Sequence, residues 1–165
     1  MNKISQQEQE QLNQNCYDLI QSQQTLLLST VTAQGEPESS YAPYVRDAQG
    51  VFYIYVSDMA AHTKNMLVKG TASILFIQPE QETKNLFARE RVTFNCAVSE
   101  IKKTDERYHQ QLQKMKQRFG ETIDLLRSLS DFHLIALTAV KGRYIAGFGK
   151  AFFINTTDGT LNFND

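Results

Sequence analysis

Cysteine is scarce, with two in 165 residues, and neither charge sign prevails: 17 Lys and Arg stand against 18 Asp and Glu, a net charge of −1. Cys16 and Cys96 lie far apart and in no metal or redox spacing, which excludes a CxxC redox pair and a cysteine-based zinc site. Buried thiols in a reducing compartment are expected instead, so the expected location is cytoplasmic. Without a basic excess, nothing in the composition points to nucleic acid or to an anionic membrane as partner. No apolar run approaches the roughly 20 residues that a membrane-spanning helix needs. Residues Met1 to Gln7 also lack the apolar core of a signal peptide. A Gly-x-Ser-x-Gly elbow, a Gly-rich phosphate loop and a Cys–His pairing are all missing, so nucleophilic catalysis has little support. The three histidines, His62, His109 and His133, are scattered. They do not form a ligand set, and no protein-built metal site is expected.

What remains is an ordinary composition for a soluble globular chain, 41% hydrophobic and 21% charged. Neither a repeat nor a linker interrupts it, so residues 1–165 are expected to form one domain with a core of its own. Leu12, Cys16, Leu19 and Ile20 recur at helical spacing within Gln6–Ser22. Strands are predicted at 26–31, 37–46, 50–57, 72–77, 91–98 and onward to Ile101, 132–138, 142–148 and 151–154. Helices are predicted at 60–69, with Gly70 as a stop, and at 105–117 and 122–129, the last two forming a helical insertion near 104–129. A helical turn is predicted between Glu82 and Ala88. Antiparallel connections between so many strands predict a mainly β fold with helices, a small barrel rather than a doubly wound parallel sheet.

The densest group of chemistry-bearing residues is Ser39-Ser40-Tyr41-Ala42-Pro43-Tyr44, followed by Ser57-Asp58-Met59-Ala60-Ala61-His62-Thr63-Lys64-Asn65. A strand running into a polar turn and a helix start presents backbone N–H groups. Backed by His62 and Lys64, it suits an anionic group. An ordinary helix start with a solvated lysine accounts for the same residues.

The ordered pieces Ser40-Tyr41-Ala42-Pro43-Tyr44, His62-x-Lys64-Asn65, Leu86-Phe87-Ala88-Arg89-x-Arg91-Val92-Thr93-Phe94, Arg118-Phe119-Gly120, Asp131-Phe132 and Gly147-Phe148-Gly149 carry a resemblance. Together they resemble the haem-utilisation proteins of the HugZ and HutZ type. That group is a branch of the FMN-binding split β-barrel (pyridoxamine 5'-phosphate oxidase-like) superfamily. The resemblance spans residues 18–155. It implies a homodimer with two cofactor pockets at the interface, each lined by both subunits and holding haem or FMN. Flavin-binding members hold the FMN phosphate with an Arg-Lys pair at the start of the helix after the third strand. Here Ala61 and His62 stand in that place, with Lys64 two residues on. Alanine cannot make arginine's bidentate contact, so the departure fits the haem branch. That branch also implies an axial histidine in a C-terminal Gly-His-Arg context, and this sequence holds no such motif. Either the natural chain is longer or this member lacks that ligand.

The resemblance makes Ser40, Tyr41, Ser57, His62, Lys64, Asn65, Arg89 and Arg91 the candidate cofactor-binding residues, with Asp131 as the candidate catalytic residue. Asp131 is expected to pair across the interface and to influence the proximal hydrogen bonding. Arg89 and Arg91 flank Glu90 at strand spacing, which predicts two guanidinium groups on one face, suited to carboxylate or phosphate. A solvated edge with an ion pair to an acid such as Asp131 is the alternative. Tyr41 is expected to pack or to offer its hydroxyl to the cofactor, and Asn65 to cap the turn or orient the ligand. His133 is expected to be a satisfied core or surface residue, and His109 to be solvated. The expected function is haem binding at the dimer interface, with oxygen-dependent haem degradation for iron acquisition as its enzymatic form. Two alternatives stand beside it: an FMN-dependent oxidoreductase acting on a small molecule, and a non-enzymatic haem or flavin carrier. The sequence specifies no electron donor.

Overall fold

A computed structural model describes residues 4–163 of the chain. Helix α1, Gln6–Ser22, is opened by Ser5, whose side chain accepts from the Glu8 amide, and it buries Leu12, Cys16, Leu19 and Ile20. Strands β1 (Thr25–Val31), β2 (Pro37–Arg46) and β3 (Phe52–Ser57) follow as a meander, then α2 (Ala61–Lys69) and β4 (Thr71–Ile77). Gly70 ends α2 in the left-handed conformation, φ 67°, with its amide on the Met66 carbonyl, a geometry that glycine adopts without a Cβ penalty. Two short 3-10 turns, Glu80–Glu82 and Leu86–Ala88, replace the single helical turn predicted between Glu82 and Ala88. Then come β5 (Arg91–Ile101), α3 (Glu106–Phe119), α4 (Thr122–Arg127), β6 (Phe132–Gly147), β7 (Lys150–Ile154) and β8 (Leu161–Asn162). No helix among the described residues is long and apolar enough to cross a membrane.

Among the described residues, six strands close an antiparallel barrel in the order β3-β2-β1-β4-β5-β6, with β6 returning to β3. The 16-residue β6 performs this closure by changing partners along its length. Its first half pairs with β3, from Ser57↔Phe132 to Phe52↔Leu137, and its second half pairs with β7. The two predicted strands at 132–138 and 142–148 are therefore one. The reason lies in the register with β5: Lys141 faces Asn95 and Ala139 faces Cys96, so Val140 is the extra residue of a bulge. A bulge shifts the in–out alternation by one residue, which reads in sequence as a break.

Leu26 and Leu28 of β1, Tyr44 of β2, Phe52 and Ile54 of β3, Phe76 of β4 and Phe94 of β5 fill the barrel. The rings of Tyr44, Phe52, Phe76 and Phe94 sit in tilted or edge contact at 5.3–5.7 Å, the separations that aromatic pairs favour. Helix α1 packs over one end of this core, and α2 closes the other with Thr63, Asn65 and Met66 buried. β3 is buried on both sides: Tyr53 and Tyr55 point away from the barrel into a second cluster with Tyr108, Leu112, Met115 and Ile123 of α3 and α4. Arg118 ties that helical cover to the sheet. It donates to the Tyr44 carbonyl at 3.2 Å and the Gln23 carbonyl at 2.5 Å, with its guanidinium 4.9 Å from the Tyr44 ring centre. Cys16 and Cys96 are buried and free, and burial pushes both thiols up to about 12; at neutral pH they stay protonated and unreactive.

Candidate functional site

The turn after β3 is built around Ser57. Its hydroxyl donates to Asp131 Oδ2 at 2.5 Å and accepts from the Met59 amide at 3.1 Å. The Ser57 carbonyl accepts from Thr63 Oγ1 at 2.7 Å, and the Asp58 amide donates to the Asp131 carbonyl at 2.8 Å. Ser57 and Asp131, two candidates 74 residues apart, thus form one half-buried unit where β3 ends and β6 is about to begin. Helix α2 starts directly after this turn at Ala60, which supplies no side-chain cap; backbone N–H groups at an uncapped helix start favour an anion.

His62 and Ser40 also meet, with His62 Nδ1 at 2.9 Å from the Ser40 hydroxyl, which itself donates to the Leu28 carbonyl at 3.5 Å. The imidazole and the Ser40 hydroxyl thus share one hydrogen bond, whose direction follows the ring tautomer. Burial lowers the His62 pKa against the opposing pull of Glu38, so the ring is neutral at pH 7. Its Nε2 is buried with no hydrogen-bond partner among the described residues. Asn65 is committed to the fold: its amide donates to Thr30 Oγ1 at 3.1 Å and to Glu38 Oε2 at 2.8 Å, pinning α2 to β1 and β2. Lys64 is exposed on α2 and has no partner among the described residues.

Arg89 lies outside the β5 ladder and Arg91 within it, so strand alternation does not relate the two arginines. Arg89 precedes β5 and turns back, donating through Nε and Nη2 to the Gln78 carbonyl at 3.0 and 2.5 Å, with Nη1 3.4 Å from Glu80. Arg91 opens β5 on its outward side, half-buried, with Nη1 on the Arg89 carbonyl at 3.1 Å. Strand geometry alone cannot place Arg89, because the backbone leaves the extended ladder just before Arg91. Asp131 pairs with Ser57, and neither arginine is its partner.

Ser40 and Tyr41 are consecutive in β2 and so face opposite sides of the sheet. Ser40 turns towards α2, while Tyr41 is 64% exposed on the outer side. There Tyr41 faces Leu27, Leu27 faces Leu75, Leu75 faces Thr93 and Thr93 faces Arg143. Small polar residues, Ser39, Ser29, Ser73 and Asn95, form the adjacent row. This outward side of β2, β1, β4, β5 and the second half of β6 is a broad, shallow surface with an apolar row and Arg91 and Arg143 along one margin. Leu27, Leu75 and Arg143 were not among the candidates. Leu27 lies inside the run Leu26-Leu27-Leu28, which reads as uniformly buried, and only the period of two marks it as outward.

Among the described residues, no group of three or more His, Cys, Asp or Glu converges as a metal site. A cavity of about 470 Å³ lies at the α1 end, between the Arg46–Gly50 hairpin and the Asn155–Gly159 turn, and none of the candidate residues lines it.

The pyridoxamine 5'-phosphate oxidase family profile matches residues 12–146. The chain is 41% identical over 138 residues to HutZ of Vibrio cholerae, a haem oxygenase, covering 84% of this chain and 78% of that protein. A crystal structure of Vibrio cholerae HutZ, described there as a haem storage protein, superposes with a TM-score of 0.75 at 38% identity, covering 82% of this chain and 94% of the other. Campylobacter jejuni ChuZ gives a TM-score of 0.81 at 30% identity, covering 93% of this chain and 62% of its own. With a six-stranded barrel closed by the β3–β6 pairing and a match running through nearly all of it, the chain belongs to the pyridoxamine 5'-phosphate oxidase family, in the branch that contains HutZ.

Proposed function

We propose that two copies of this chain bind haem between them and that the protein handles haem for iron use. The observation that carries this reading is the outer sheet surface, where Tyr41 and Leu27 are 64% and 46% exposed with no described helix over them. Outward apolar side chains side by side, Tyr41, Leu27 and Leu75, support an interface reading, and the same side of the sheet carries the cations Arg91 and Arg143. A planar, largely apolar molecule bearing two carboxylates matches both features: burial of the ring system supplies affinity, and the guanidinium groups orient the carboxylates. A pocket between two copies can take the outer sheet surface from one and the Ser57–Asp131 turn from the other.

Flavin fits these residues less well. The doubly charged phosphate of FMN calls for several cations at the start of α2, where Ala61 and His62 are uncharged and Lys64 is the one cation of the first turn. His62 Nδ1 is already engaged with Ser40. The similarity to HutZ supports haem over flavin for the same position in the family.

Within the haem reading, carriage and degradation are separate activities. Haem iron supplies oxygen activation when an electron donor is present; the chain supplies position and protons. Asp131 is our candidate for proton handling in degradation, because Ser57 fixes Oδ2 and Oδ1 has no partner among the described residues. Titration of the purified protein with haemin should develop a sharp Soret band that saturates at one haem per chain, in a particle sedimenting as a dimer. Ascorbate and oxygen then distinguish the two activities: bleaching of the Soret band marks degradation, and a persistent band marks carriage. Retention of FMN with no Soret band on haemin addition would overturn the proposal in favour of a flavin-dependent oxidoreductase.

A further inference from the structure

Beside the Ser57–Asp131 unit stands a histidine held on both sides. His133 Nδ1 lies 2.7 Å from Glu100 Oε1, and its Nε2 lies 2.8 Å from Asp58 Oδ1. Carboxylate oxygens only accept, so both ring nitrogens must donate, and a neutral imidazole has one proton to give. The two contacts together call for the imidazolium. They also span three elements: Glu100 on β5, His133 on β6 and Asp58 in the turn between β3 and α2. We propose that His133 is a positioning residue, a cationic clamp that holds the β3–α2 turn, and with it the Ser57–Asp131 pair, in place only while it is protonated. The consequence for ligand binding rests on the haem reading above; the clamp itself does not.

The two arms are unequal. Glu100 is 25% exposed and is also held by Lys102, whereas Asp58 is 60% exposed and has no second cation among the described residues. A ring that loses one proton keeps the better-fixed Glu100 and releases Asp58 to solvent. Asp58 lies directly between Ser57, which holds Asp131, and Met59, whose amide caps the Ser57 hydroxyl. Without its side-chain anchor, Asp58 itself keeps the bond from its amide to the Asp131 carbonyl, and the turn leans on the Ser57 contacts to Asp131, Met59 and Thr63.

The charges around His133 agree in sign. Glu100 raises its pKa most, Asp58 adds to this, and partial burial opposes both. On the Glu100 side, Lys102 and then His133 hold the carboxyl below its ordinary value. From its own segment comes Asp131, paired with Ser57; from the helical cover comes Arg127, which acts on Tyr55. A folded-state pKa raised above the unfolded value gives stabilisation that is complete below the unfolded value and is lost as pH rises through the folded one. The clamp therefore closes in mild acid and opens towards alkaline pH.

The test follows the imidazole resonances of His133 by NMR from pH 5 to pH 9 in the wild type and in Asp58→Asn, alongside haemin affinity at pH 6 and pH 8.5 in the wild type and in His133→Gln. His133 should titrate above the ordinary 6.5 and fall back towards it in Asp58→Asn. Haemin should bind more tightly at pH 6 by about three- to tenfold after division by the same ratio in His133→Gln, because a coupling of one pKa unit is a tenfold change in affinity. By reciprocity, haemin should raise the His133 midpoint. A wild-type midpoint at or below 6.5 overturns the clamp, and so does an identical pH ratio in His133→Gln. If haemin binds at no pH, the haem reading fails and the imidazole titration still decides the clamp. If His133→Gln does not fold, Asp58→Asn takes its place in the affinity comparison.

Discussion

Replacing Gly142 by alanine tests how tightly β6 is wedged where it turns away from β3. Gly142 faces Phe94 on β5 and Ile154 on β7. A Cβ at this position would lie 2.7 Å from Phe94 Cε1, 2.8 Å from Phe94 Cδ1 and 2.9 Å from Ile154 Cβ. Carbon atoms pack best at about 3.5–4.0 Å, so the neighbours must move by the better part of an ångström. Neither has room. The Phe94 ring is 2% exposed and sits 5.5 Å from the fully buried Phe52 ring, and Ile154 Cβ is bonded directly to the β7 backbone. Overpacking a well-filled core costs about 1–3 kcal/mol, and with both neighbours fixed the upper end, about 3 kcal/mol, is expected for Gly142→Ala. For a domain of this length 1 kcal/mol moves Tm by about 2–4 °C, which gives a loss of about 6–12 °C. The assay is thermal unfolding by circular dichroism at one protein concentration and without added haemin, since ligand and association both raise Tm by mass action. Phe94→Leu should relieve part of the clash, so the double variant should lose less than the sum of the singles by about 1 kcal/mol. A Tm loss below about 2 °C, or strict additivity, would refute the reasoning.

Three further outcomes are expected. Arg118→Ala leaves the Tyr44 and Gln23 carbonyls without their donor and uncovers the Tyr44 ring, so urea unfolding should show a loss of about 2–3 kcal/mol. Arg118→Lys should recover less than half of it, because a single ammonium cannot reach two carbonyls while lying flat on the ring; full recovery would contradict this geometry. Arg91→Ala should weaken haemin binding about tenfold with an unchanged melting curve, and an unchanged titration would remove Arg91 from the site. Leu27→Asp places a charge in the middle of the exposed apolar row; it should give a folded protein that sediments as a monomer and no longer takes up haemin. A dimer that persists in this variant would move the interface to another face.

The barrel was legible in sequence wherever one face of an element is wet. The spacing of Leu12, Cys16, Leu19 and Ile20 gave α1 its buried stripe, and the alternation in Ala72–Ile77 and Arg91–Val98 gave β4 and β5. Legibility failed where that alternation is hidden. β3 is buried on both sides, so its unbroken apolar run carries no hint that Tyr53 and Tyr55 lie under α3. β6 reads as two strands because an extra residue at the bulge inverts the pattern. The candidate site divides along the same line. Ser57, His62 and Asp131 were marked as types and by family resemblance, yet which of them touch depends on strand pairings that close across the barrel: Ser57 meets Asp131 because β3 pairs with β6, and His62 reaches Ser40 because α2 folds over the end of β2. His133 is satisfied, as expected, but which groups satisfy it is hidden in sequence, because Asp58 and Glu100 lie 75 and 33 positions away. One feature joins fold and site. The pairing of β3 with the first half of β6 closes the barrel and, in the same register, sets Ser57 against Phe132 and Val56 against His133. A one-residue slip there would send every side chain of the strand to the opposite face, emptying the core and separating Ser57 from Asp131 together. Fold stability and site geometry are therefore expected to fail in step for substitutions along this seam, and independently for Tyr41, Leu27 and Arg91 on the outer sheet.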